Sequence, residues 1–429
     1  DVNQRNVVNV YDGLKEVYSI ANESYLQPYV EDWAKAQAGE LTESTPYINV
    51  ATSFFNQVYT GNEVEITDAQ SLSQQDIDCA FYVISRVSGE GSDRAAAEND
   101  GDYNLSEMER KNLETLTQFY ENVVVILNTA NVIDTKFIEE IPGIDAVLLM
   151  SQAGMYGGTA LANVLTGQVS PSGKLVDTWP VDFMDYPSSA TLGENYDPEN
   201  SREPYDEYYY DDIYVGYRYF DTFNVDPAYE FGYGLSYTTF DVEPVSVTAD
   251  AENVTVEVTV SNTGDTYSGK EVVQIYFSAP DGELEKPYQE LAAYAKTDTL
   301  APGESQTLSI SFKTDEMSSY SEEKAAYIME DGDYIIRVGN SSRNTEVAAV
   351  ISLDADTITE QLSNQLTMEE DKVEQFESGK VSNEGATPYS YDTEAEEIEA
   401  AERISLASAD FTTVNNASAV DDESVITYY

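Results

Sequence analysis

The stretch Ile84-Ser-Arg-Val-Ser-Gly-Glu-Gly-Ser-Asp-Arg94 begins as an apolar run and ends as a polar loop. Two glycines, Gly89 and Gly91, flank a single carboxylic acid, Glu90, at the point where the run stops. In open α/β sheets, ligands collect at the carboxyl ends of the strands, and glycines let a ligand approach the backbone closely. The spacing therefore predicts a strand that presents Glu90 at a binding edge. Its alternative interpretation is an ordinary turn with a solvated glutamate.

One apolar run of strand length leads into this stretch, and two more follow it. A continuous apolar run is typical of a strand that is covered on both faces, as in a parallel sheet. The runs are Asp78–Ser88, Asn122–Leu127 and Asp145–Met150. Together with the amphipathic segments between them, they predict that residues 1–240 form an α/β sandwich, a mostly parallel sheet flanked by helices.

Two helices are predicted beside these strands. Ser106 and Glu109 have the spacing of a capping box, and Leu113 and Leu116 fall on one helical face after it. A second helix is predicted over Gly157–Leu165, because apolar residues recur at helical spacing and a glycine follows as a stop.

The hydrophobic period changes after residue 240. From Val254 to Val260 a valine occupies every second position, which is the pattern of a half-buried strand. Further strand candidates lie at residues 272–277, 306–312, 333–338 and 345–353. Residues 241–353 are therefore predicted to form an all-β sandwich of immunoglobulin or fibronectin type III-like architecture. Residues 354–429 are acidic and polar, and they are predicted to be an extended linker or tail with a short helix at 394–402.

The charge and length of the chain exclude several functional classes. With 21 Lys+Arg against 80 Asp+Glu, the net charge of −59 repels nucleic acid and anionic membrane surfaces alike. No apolar run is long enough to predict a membrane span. At about 100–200 residues per domain, the length predicts more than one domain.

The absence of histidine limits the chemistry further. Because the sequence contains no histidine, His-based triads and the common His-bearing zinc sites are excluded. Acid/base chemistry is left to carboxylates, Tyr or Lys. The single cysteine, Cys79, lies in an apolar run, so we expect a buried strand position and no intrachain disulfide.

Several motifs resemble those of one family. Ser88–Arg94, followed by Gly101–Ser106, is similar to the acid/base loop of family 3 glycoside hydrolases. The similarity continues through Ser170–Leu175 with Trp179-Pro180, Ile213–Asp221 with Tyr229–Tyr237, Ser268–Tyr276 and Leu284–Leu291. The matching blocks follow the family's order over roughly residues 1–353, and the last two resemble its fibronectin-like domain.

The resemblance implies a retaining exo-β-glycosidase, with β-glucosidase ahead of β-xylosidase, that needs no metal or organic cofactor. In the family, an aspartate on a barrel domain attacks the anomeric carbon. The glutamate at the position of Glu90 protonates the departing oxygen and later activates water. Neither the barrel's strand–helix repeat nor the nucleophile motif occurs in this sequence. We therefore expect a permuted layout with the barrel downstream, in cis or as another chain, and negligible activity from this chain by itself.

Three residues near Glu90 in the sequence, namely Ser92, Asp93 and Tyr103, are candidates to orient it or to contact sugar hydroxyl groups. Arg86 and Arg94 flank the same loop, where we expect them to brace it through salt bridges. A guanidinium beside Glu90 would lower the pKa of an acid that must stay protonated to act. We therefore expect both arginines to point away from Glu90 or to pair with Asp93.

Two further features concern aromatic residues. The tyrosine-rich run Tyr205–Tyr219 predicts packing between domains more strongly than stacking on sugar rings. At Tyr156, members of the family commonly carry glutamate, so we expect the local contacts to differ from theirs.

A second class of function stays open. The alternative is a non-catalytic structural or surface carbohydrate-binding protein derived from this fold, favoured by the charge of −59 and the 33 tyrosines. The expected partners are an oligosaccharide or β-glycoside substrate and the barrel domain, and homo-oligomerisation stays open. The fibronectin-like sandwich favours an extracellular or cell-surface location, with the cytoplasm as the alternative.

Overall fold

The computed structural model describes residues 7–41, 45–52, 57–86, 96, 98, 101–191, 208–364 and 387–417. The chain divides into two compact units, Asp1–Val169 and Ser170–Tyr429. Within the described residues, none of the helices combines the length and the apolar character that crossing a bilayer requires.

The first unit contains the predicted α/β arrangement. Its helices are α1 (Val10–Val17), α2 (Glu23–Gln37), α3 (Ala69–Leu72), α4 (Glu107–Phe119), α5 (Phe137–Glu140) and α6 (Gly157–Leu165). Its strands are β1 (Ile48–Thr52), β2 (Gln57–Gly61), β3 (Ala80–Ser85), β4 (Val123–Asn128) and β5 (Ala146–Leu149). Strands β3, β4 and β5 pair in parallel in that order, which confirms the predicted sheet. Strands β1 and β2 form a separate antiparallel pair.

Cys79 departs from its predicted position. It lies immediately before β3 rather than within it, and it is half-buried. Its apolar neighbours toward the carboxyl end enter the sheet, whereas Asp78 on its other side is exposed.

Helix α4 begins as the sequence predicts. The Ser106 hydroxyl accepts a hydrogen bond from the backbone N–H of Glu109 at 3.1 Å, and the Glu109 carboxylate accepts one from the N–H of Ser106 at 2.8 Å. These reciprocal bonds satisfy donors that a helix start would otherwise leave unpaired. The buried side chains of Leu113 and Leu116 lie on one face of this helix.

The opposite face of the sheet is covered by α1 and α6. Leu14, Ile126 and Leu161 form the buried centre of this layer. The two helices approach closely because glycines face each other: a Cβ atom on Gly13 would lie 2.1 Å from the carbonyl oxygen of Gly158. A Cβ atom on Gly158 would lie 1.9 Å from the carbonyl oxygen of Asn9.

This close approach predicts that Gly158→Ala destabilises the first unit by about 1–3 kcal/mol, because the added methyl group must displace backbone. The measurement is guanidinium denaturation followed by Trp33 fluorescence, in a Trp179→Phe background that removes the tryptophan of the second unit. Gly61→Ala is the control, since a Cβ atom on Gly61 would have no neighbour within 4 Å. Equal stability of the two variants would contradict the prediction.

The second unit contains the predicted all-β sandwich. Its first elements are β6 (Trp179–Pro180), α7 (Tyr217–Thr222), β7 (Pro227–Tyr229), β8 (Phe240–Ala249), β9 (Asn253–Asn262), β10 (Val272–Ser278), β11 (Glu290–Lys296) and β12 (Ser305–Lys313). The later ones are β13 (Ser319–Ser321), β14 (Ala326–Met329), β15 (Gly332–Ser341), β16 (Asn344–Leu353), β17 (Thr357–Gln361), α8 (Glu394–Ala400), β18 (Glu402–Leu406) and β19 (Val414–Asn415). The sheet orders are β12-β9-β8, β11-β10-β15-β16-β18 and β13-β14-β17-β19. The valines of β9 at alternate positions are fully buried in the core between the first two sheets.

Residues 170–191 and 208–240 pack with this sandwich, although the sequence-based division groups them with residues 1–169. The Lys174 ammonium lies 2.9 Å from the Glu271 carboxylate, and both side chains are buried. Asp221 at the end of α7 pairs with Arg343 at 2.5 Å. Tyr214, from the tyrosine-rich run, is fully buried and donates a hydrogen bond to Glu285. These contacts explain why the second compact unit begins at residue 170. The domain boundaries 1–240, 241–353 and 354–429 stay predictions.

Residues 387–417, which we call the C-terminal strap, differ from the predicted extended tail. The predicted short helix is present as α8, and β18 adds to the sandwich by pairing in parallel with β16. Glu394 pairs with the buried guanidinium of Arg337 at 2.6 Å, and Arg343 lies 3.9 Å from the centre of the Tyr389 ring. Two arginines of the sandwich therefore hold the strap in place, through an ion pair and a cation–π contact, despite its polar composition.

Candidate active site

The carboxyl ends of the parallel strands meet at one edge, as the sequence predicts. The N–H of Arg86, just after β3, lies 3.4 Å from the carbonyl oxygen of Asn128 at the end of β4. The N–H of Met150, just after β5, bonds to the carbonyl oxygen of Leu127 at 2.8 Å. In a sheet of this kind, this edge is where ligands bind.

Arg86 ties this edge to the segment that precedes α4. Its Nη1 and Nη2 atoms donate to the two carboxylate oxygens of Glu109 at 2.7 and 3.0 Å. Its Nε donates to the carbonyl oxygen of Asp102 at 2.6 Å, and Nη2 reaches that of Asn104 at 3.4 Å. Only 6% of the Arg86 side chain and 9% of the Glu109 side chain are exposed. A bidentate pair of this kind fixes orientation as well as distance.

The pairing of Arg86 bears out one expectation. The bracing role predicted for Arg86 is present, because its guanidinium holds residue 86 against residues 102–104. Its carboxylate partner among the described residues is Glu109, while the alternative partner Asp93 lies outside them. The sequence identifies Glu109 only as part of a capping box. The one local hint of a second role is that this acidic residue lies next to an apolar helical face.

The loop residues that the sequence singles out lie mostly outside the described residues. These are Glu90, Ser92, Asp93 and Arg94. Their roles stay predictions. What the structure contributes is the frame on either side of the loop, namely the end of β3 and the segment held by Arg86.

Tyr103 is the one predicted substrate contact that the structure describes. Its side chain is 7% exposed, and its carbonyl oxygen accepts a hydrogen bond from the N–H of Asp134 at 2.8 Å. Burial raises the pKa of the Asp134 carboxyl, which lies 3.5 Å from the Lys136 ammonium. Because Tyr103 lies between Asp102 and Asn104, its position depends on the hydrogen bonds that Arg86 donates to the carbonyl oxygens of these two residues. A contact between Tyr103 and sugar stays a prediction.

A second carboxyl, Glu63, interacts electrostatically with the Arg86–Glu109 pair. Its Oε1 atom accepts hydrogen bonds from the Tyr82 hydroxyl at 2.5 Å and from the Asn112 amide at 2.8 Å. Burial raises the pKa of Glu63, and the charge of Glu109 acts in the same direction, while Tyr82, Asn112 and Arg86 act to lower it. No feature of the local sequence around Glu63 signalled these hydrogen bonds.

The raised pKa of Glu63 predicts how stability depends on pH. The folded state holds the Glu63 proton at a higher pH than the unfolded state does. The stabilisation from this group is therefore present below its ordinary pKa of 4.5 and is lost as pH rises through the folded-state value. Glu63→Gln keeps the acceptor oxygen but removes the charge, so its free energy of unfolding relative to the parent chain should increase from pH 5 to pH 8.

The measurement is guanidinium denaturation at the two pH values, again reported by Trp33. Glu65→Gln is the control, because Glu65 is half-exposed and pairs with the equally exposed Lys111, an arrangement that contributes little to stability. If Glu63→Gln is relatively less stable at pH 8 than at pH 5, the assigned direction of the pKa is wrong.

Two other residues stand out near this edge. Tyr156 is 55% exposed at the start of α6, so no packing role replaces the glutamate that the resemblance leads one to expect there. Ser151, directly after Met150, has a φ of 51°, a left-handed conformation that is uncommon outside glycine.

In the part of the chain that the structure describes, no group of three acidic or cysteine side chains is placed to bind a metal ion.

Comparison with known proteins gives consistent results for both units. Residues 1–237 match the glycosyl hydrolase family 3 C-terminal domain, and residues 271–342 match the fibronectin type III-like domain. The chain is 35% identical to beta-glucosidase A of Butyrivibrio fibrisolvens over 416 residues, covering 85% of this chain and 47% of that protein. It is 34% identical to a beta-glucosidase of Ruminococcus albus, covering 85% of this chain and 37% of that protein.

A solved structure shows the same similarity in three dimensions. Beta-glucosidase 3B of Thermotoga neapolitana, in complex with alpha-D-glucose, matches with a TM-score of 0.72 and 36% sequence identity. The match covers 83% of this chain and 48% of that one. The chain thus spans less than half the length of these relatives.

Proposed function

Since the chain belongs to glycosyl hydrolase family 3, we propose that it is part of a retaining exo-β-glycosidase, specifically a β-glucosidase, in which Glu90 is the general acid/base. One observation carries the proposal. Proteins named beta-glucosidases match 85% of this chain at 34–35% identity, and the match therefore reaches both units.

The proposed chemistry requires a second carboxylate from outside this chain. Retaining hydrolysis uses two carboxyl groups roughly 5–5.5 Å apart, one that attacks the anomeric carbon and one that donates and then accepts a proton. Glu90 takes the second role. It protonates the departing oxygen in the first step, and in the second step it removes a proton from the water that cleaves the glycosyl–enzyme bond. The attacking aspartate is assigned to a barrel domain, in cis or on another chain.

The Arg86–Glu109 pair supports this assignment of Glu90. A general acid must remain protonated until it acts, and an uncompensated guanidinium nearby would lower its pKa. The Arg86 charge is instead compensated by a bidentate carboxylate at 2.7 Å. Arg86 can therefore hold the ends of the loop together while having little effect on the proton affinity of Glu90.

The proposal predicts that this chain by itself has negligible glycosidase turnover, because it supplies an acid but no nucleophile. Purified chain should release no aryl group from 4-nitrophenyl β-glucoside above the buffer blank. The longest natural protein that contains this sequence should hydrolyse the same substrate, and proton NMR should show the β-anomer as the first product. Robust turnover by the homogeneous chain, or an α-anomer as the first product of the longer protein, contradicts the proposal.

A further inference from the structure

A pair of tyrosines lies on the solvent face of the sheet of order β13-β14-β17-β19, in the second unit. Tyr320 of β13 is directly opposite Tyr327 of β14. Their ring centres are 5.2 Å apart, the ring planes are inclined by 56°, and each residue is 39% exposed. The adjacent Ser321, Ala326 and Ile328 point to the buried side. Cross-strand packing accounts for the contact between the rings but leaves one side of the pair open to solvent.

Polar side chains continue the row that the tyrosines begin. Glu360 of β17 is the register partner of Tyr327, and its Oε1 accepts a hydrogen bond from the Asn416 amide at 2.6 Å. At the other end, the Tyr320 hydroxyl donates to the side-chain oxygen of Asn364 at 2.9 Å. We call these five residues the tyrosine row.

The row has the length and shape for an extended ligand. Glu360 in turn pairs in register with Val414 of β19, which is 49% exposed. Because adjacent strands lie about 4.8 Å apart, a line from Tyr320 to Val414 spans roughly 14 Å across the sheet, or two to three linked sugar rings. Tyr320, Tyr327 and Val414 are 39–49% exposed along this line, which suits a ligand chain that lies across the strands.

The chemistry of the tyrosine row fits a neutral sugar. A pyranose has an apolar C–H face, which packs on aromatic rings, and a rim of hydroxyl groups, which bond to carboxylate and amide side chains. The row offers both kinds of group side by side. An anionic ligand is disfavoured by Glu360 and by the net charge of −59.

A cationic ligand is the main competitor, because tyrosine faces and a carboxylate also attract ammonium or guanidinium groups. The geometry favours the sugar. The rings are arranged in an open line, and they do not enclose a point where a cation could be held. Two amide side chains flank the line, and an amide oxygen has two lone pairs with which it can accept hydrogen bonds from sugar hydroxyl groups.

We propose that the tyrosine row of the second unit is a binding site for a neutral oligosaccharide. Such a site would hold a glycan chain on the sandwich independently of any catalysis. The proposal does not depend on Glu90 or on a barrel domain, and it therefore stands or falls separately from the proposed glycosidase activity.

The test uses this chain and needs no turnover. Affinity electrophoresis is run in native gels that contain barley β-glucan, xyloglucan, xylan or laminarin, and the dissociation constant for the best polysaccharide is taken from the retardation. We expect at least one glycan to retard the chain. Tyr327→Ala should weaken that binding about tenfold, because it removes one of the two rings and leaves the other without its aromatic neighbour.

Matched variants separate binding from folding. Tyr320→Phe and Tyr327→Phe keep the rings and should retain most of the affinity. Tyr294→Ala is the control, because Tyr294 is 70% exposed on β11 in another sheet of the same unit. Glu360→Gln keeps an acceptor for Asn416 and serves as a second, less disruptive variant, with an expected loss of a few-fold because the acceptor is weaker without its charge.

Each outcome decides the proposal. Retardation that Tyr327→Ala and Glu360→Gln weaken, that Tyr294→Ala leaves unchanged and that survives 0.5 M NaCl supports it, because binding of a neutral ligand is insensitive to ionic strength. The proposal is overturned if none of the glycans retards the parent chain, if Tyr327→Ala leaves the retardation unchanged, or if Tyr294→Ala weakens binding as much as Tyr327→Ala does. It is also overturned if the row binds a Lys/Arg-rich peptide in a salt-sensitive manner and no glycan.

Discussion

Replacing Glu90 by glutamine, in a protein that carries this chain together with a barrel domain, should lower kcat/KM by about 10²–10⁴ on alkyl β-glucosides. Their alcohol leaving groups depart only when protonated, and glutamine cannot supply the proton. On 2,4-dinitrophenyl β-glucoside, whose leaving group needs no proton, the first step should be nearly unchanged. The measurement is a comparison of kcat/KM over aryl and alkyl glucosides with graded leaving-group pKa values.

Two additional results test the role of Glu90 as a base. Azide attacks without general-base assistance, so it should restore turnover of the dinitrophenyl substrate by the variant and yield a β-glucosyl azide. Glu98→Gln is the matched control, because Glu98 is an exposed glutamate eight positions further along the same connection. If Glu90→Gln retains the parent rate on alkyl glucosides, Glu90 is not the general acid.

Replacing Arg86 by methionine should cost about 3–5 kcal/mol of stability in the first unit, because it leaves the carboxylate of Glu109 buried without its cation. Arg86 also binds the carbonyl oxygens of Asp102 and Asn104, and both would lose a donor. The loss is measured by guanidinium denaturation with Trp33 fluorescence as the reporter. The segment around Tyr103 should become exchangeable earlier than the rest of the unit in hydrogen–deuterium exchange.

The double variant Arg86→Met/Glu109→Gln shows whether the charge pair is the cause. Glutamine still accepts the hydrogen bond from the N–H of Ser106, so the capping box survives while both charges are removed. We expect the double variant to recover a large part of the stability that Arg86→Met loses, with a coupling energy above about 1 kcal/mol. Additive effects of the two single changes would show that the pair does not act as a unit.

Much of the local structure could be predicted because its causes are local. Ser106 and Glu109 are three positions apart, and their reciprocal hydrogen bonds require only that the chain turn once. The alternating valines of β9 and the continuous run of β4 report which faces are buried. The sheet edge at the end of β3 follows from the same patterns together with the parallel pairing that they indicate.

The sequence could predict the sheet edge beside the candidate site but not the contacts that support it. Glu90 stands out because glycines flank it at the end of a strand, and that signal lies within a few residues. The partner of Arg86 cannot be recognised in this way, because Glu109 is 23 positions away and many other acidic residues could pair with the same guanidinium. In a chain with 80 acidic residues and 21 basic ones, composition alone gives almost no information about which charges pair.

The sequence by itself determined the order of the two folds, the absence of histidine chemistry and the family to which the chain belongs. Only the tertiary structure decided that residues 170–191 and 208–240 pack with the sandwich, that the Glu63 carboxylate bonds to Tyr82 and Asn112, and that the C-terminal strap is held by Arg337 and Arg343. The physical reason is the range of the interactions. Hydrophobic period and helix capping are set by neighbours along the chain, whereas the pKa of a carboxyl group depends on residues that meet it only after folding, such as Asn112, 49 positions from Glu63.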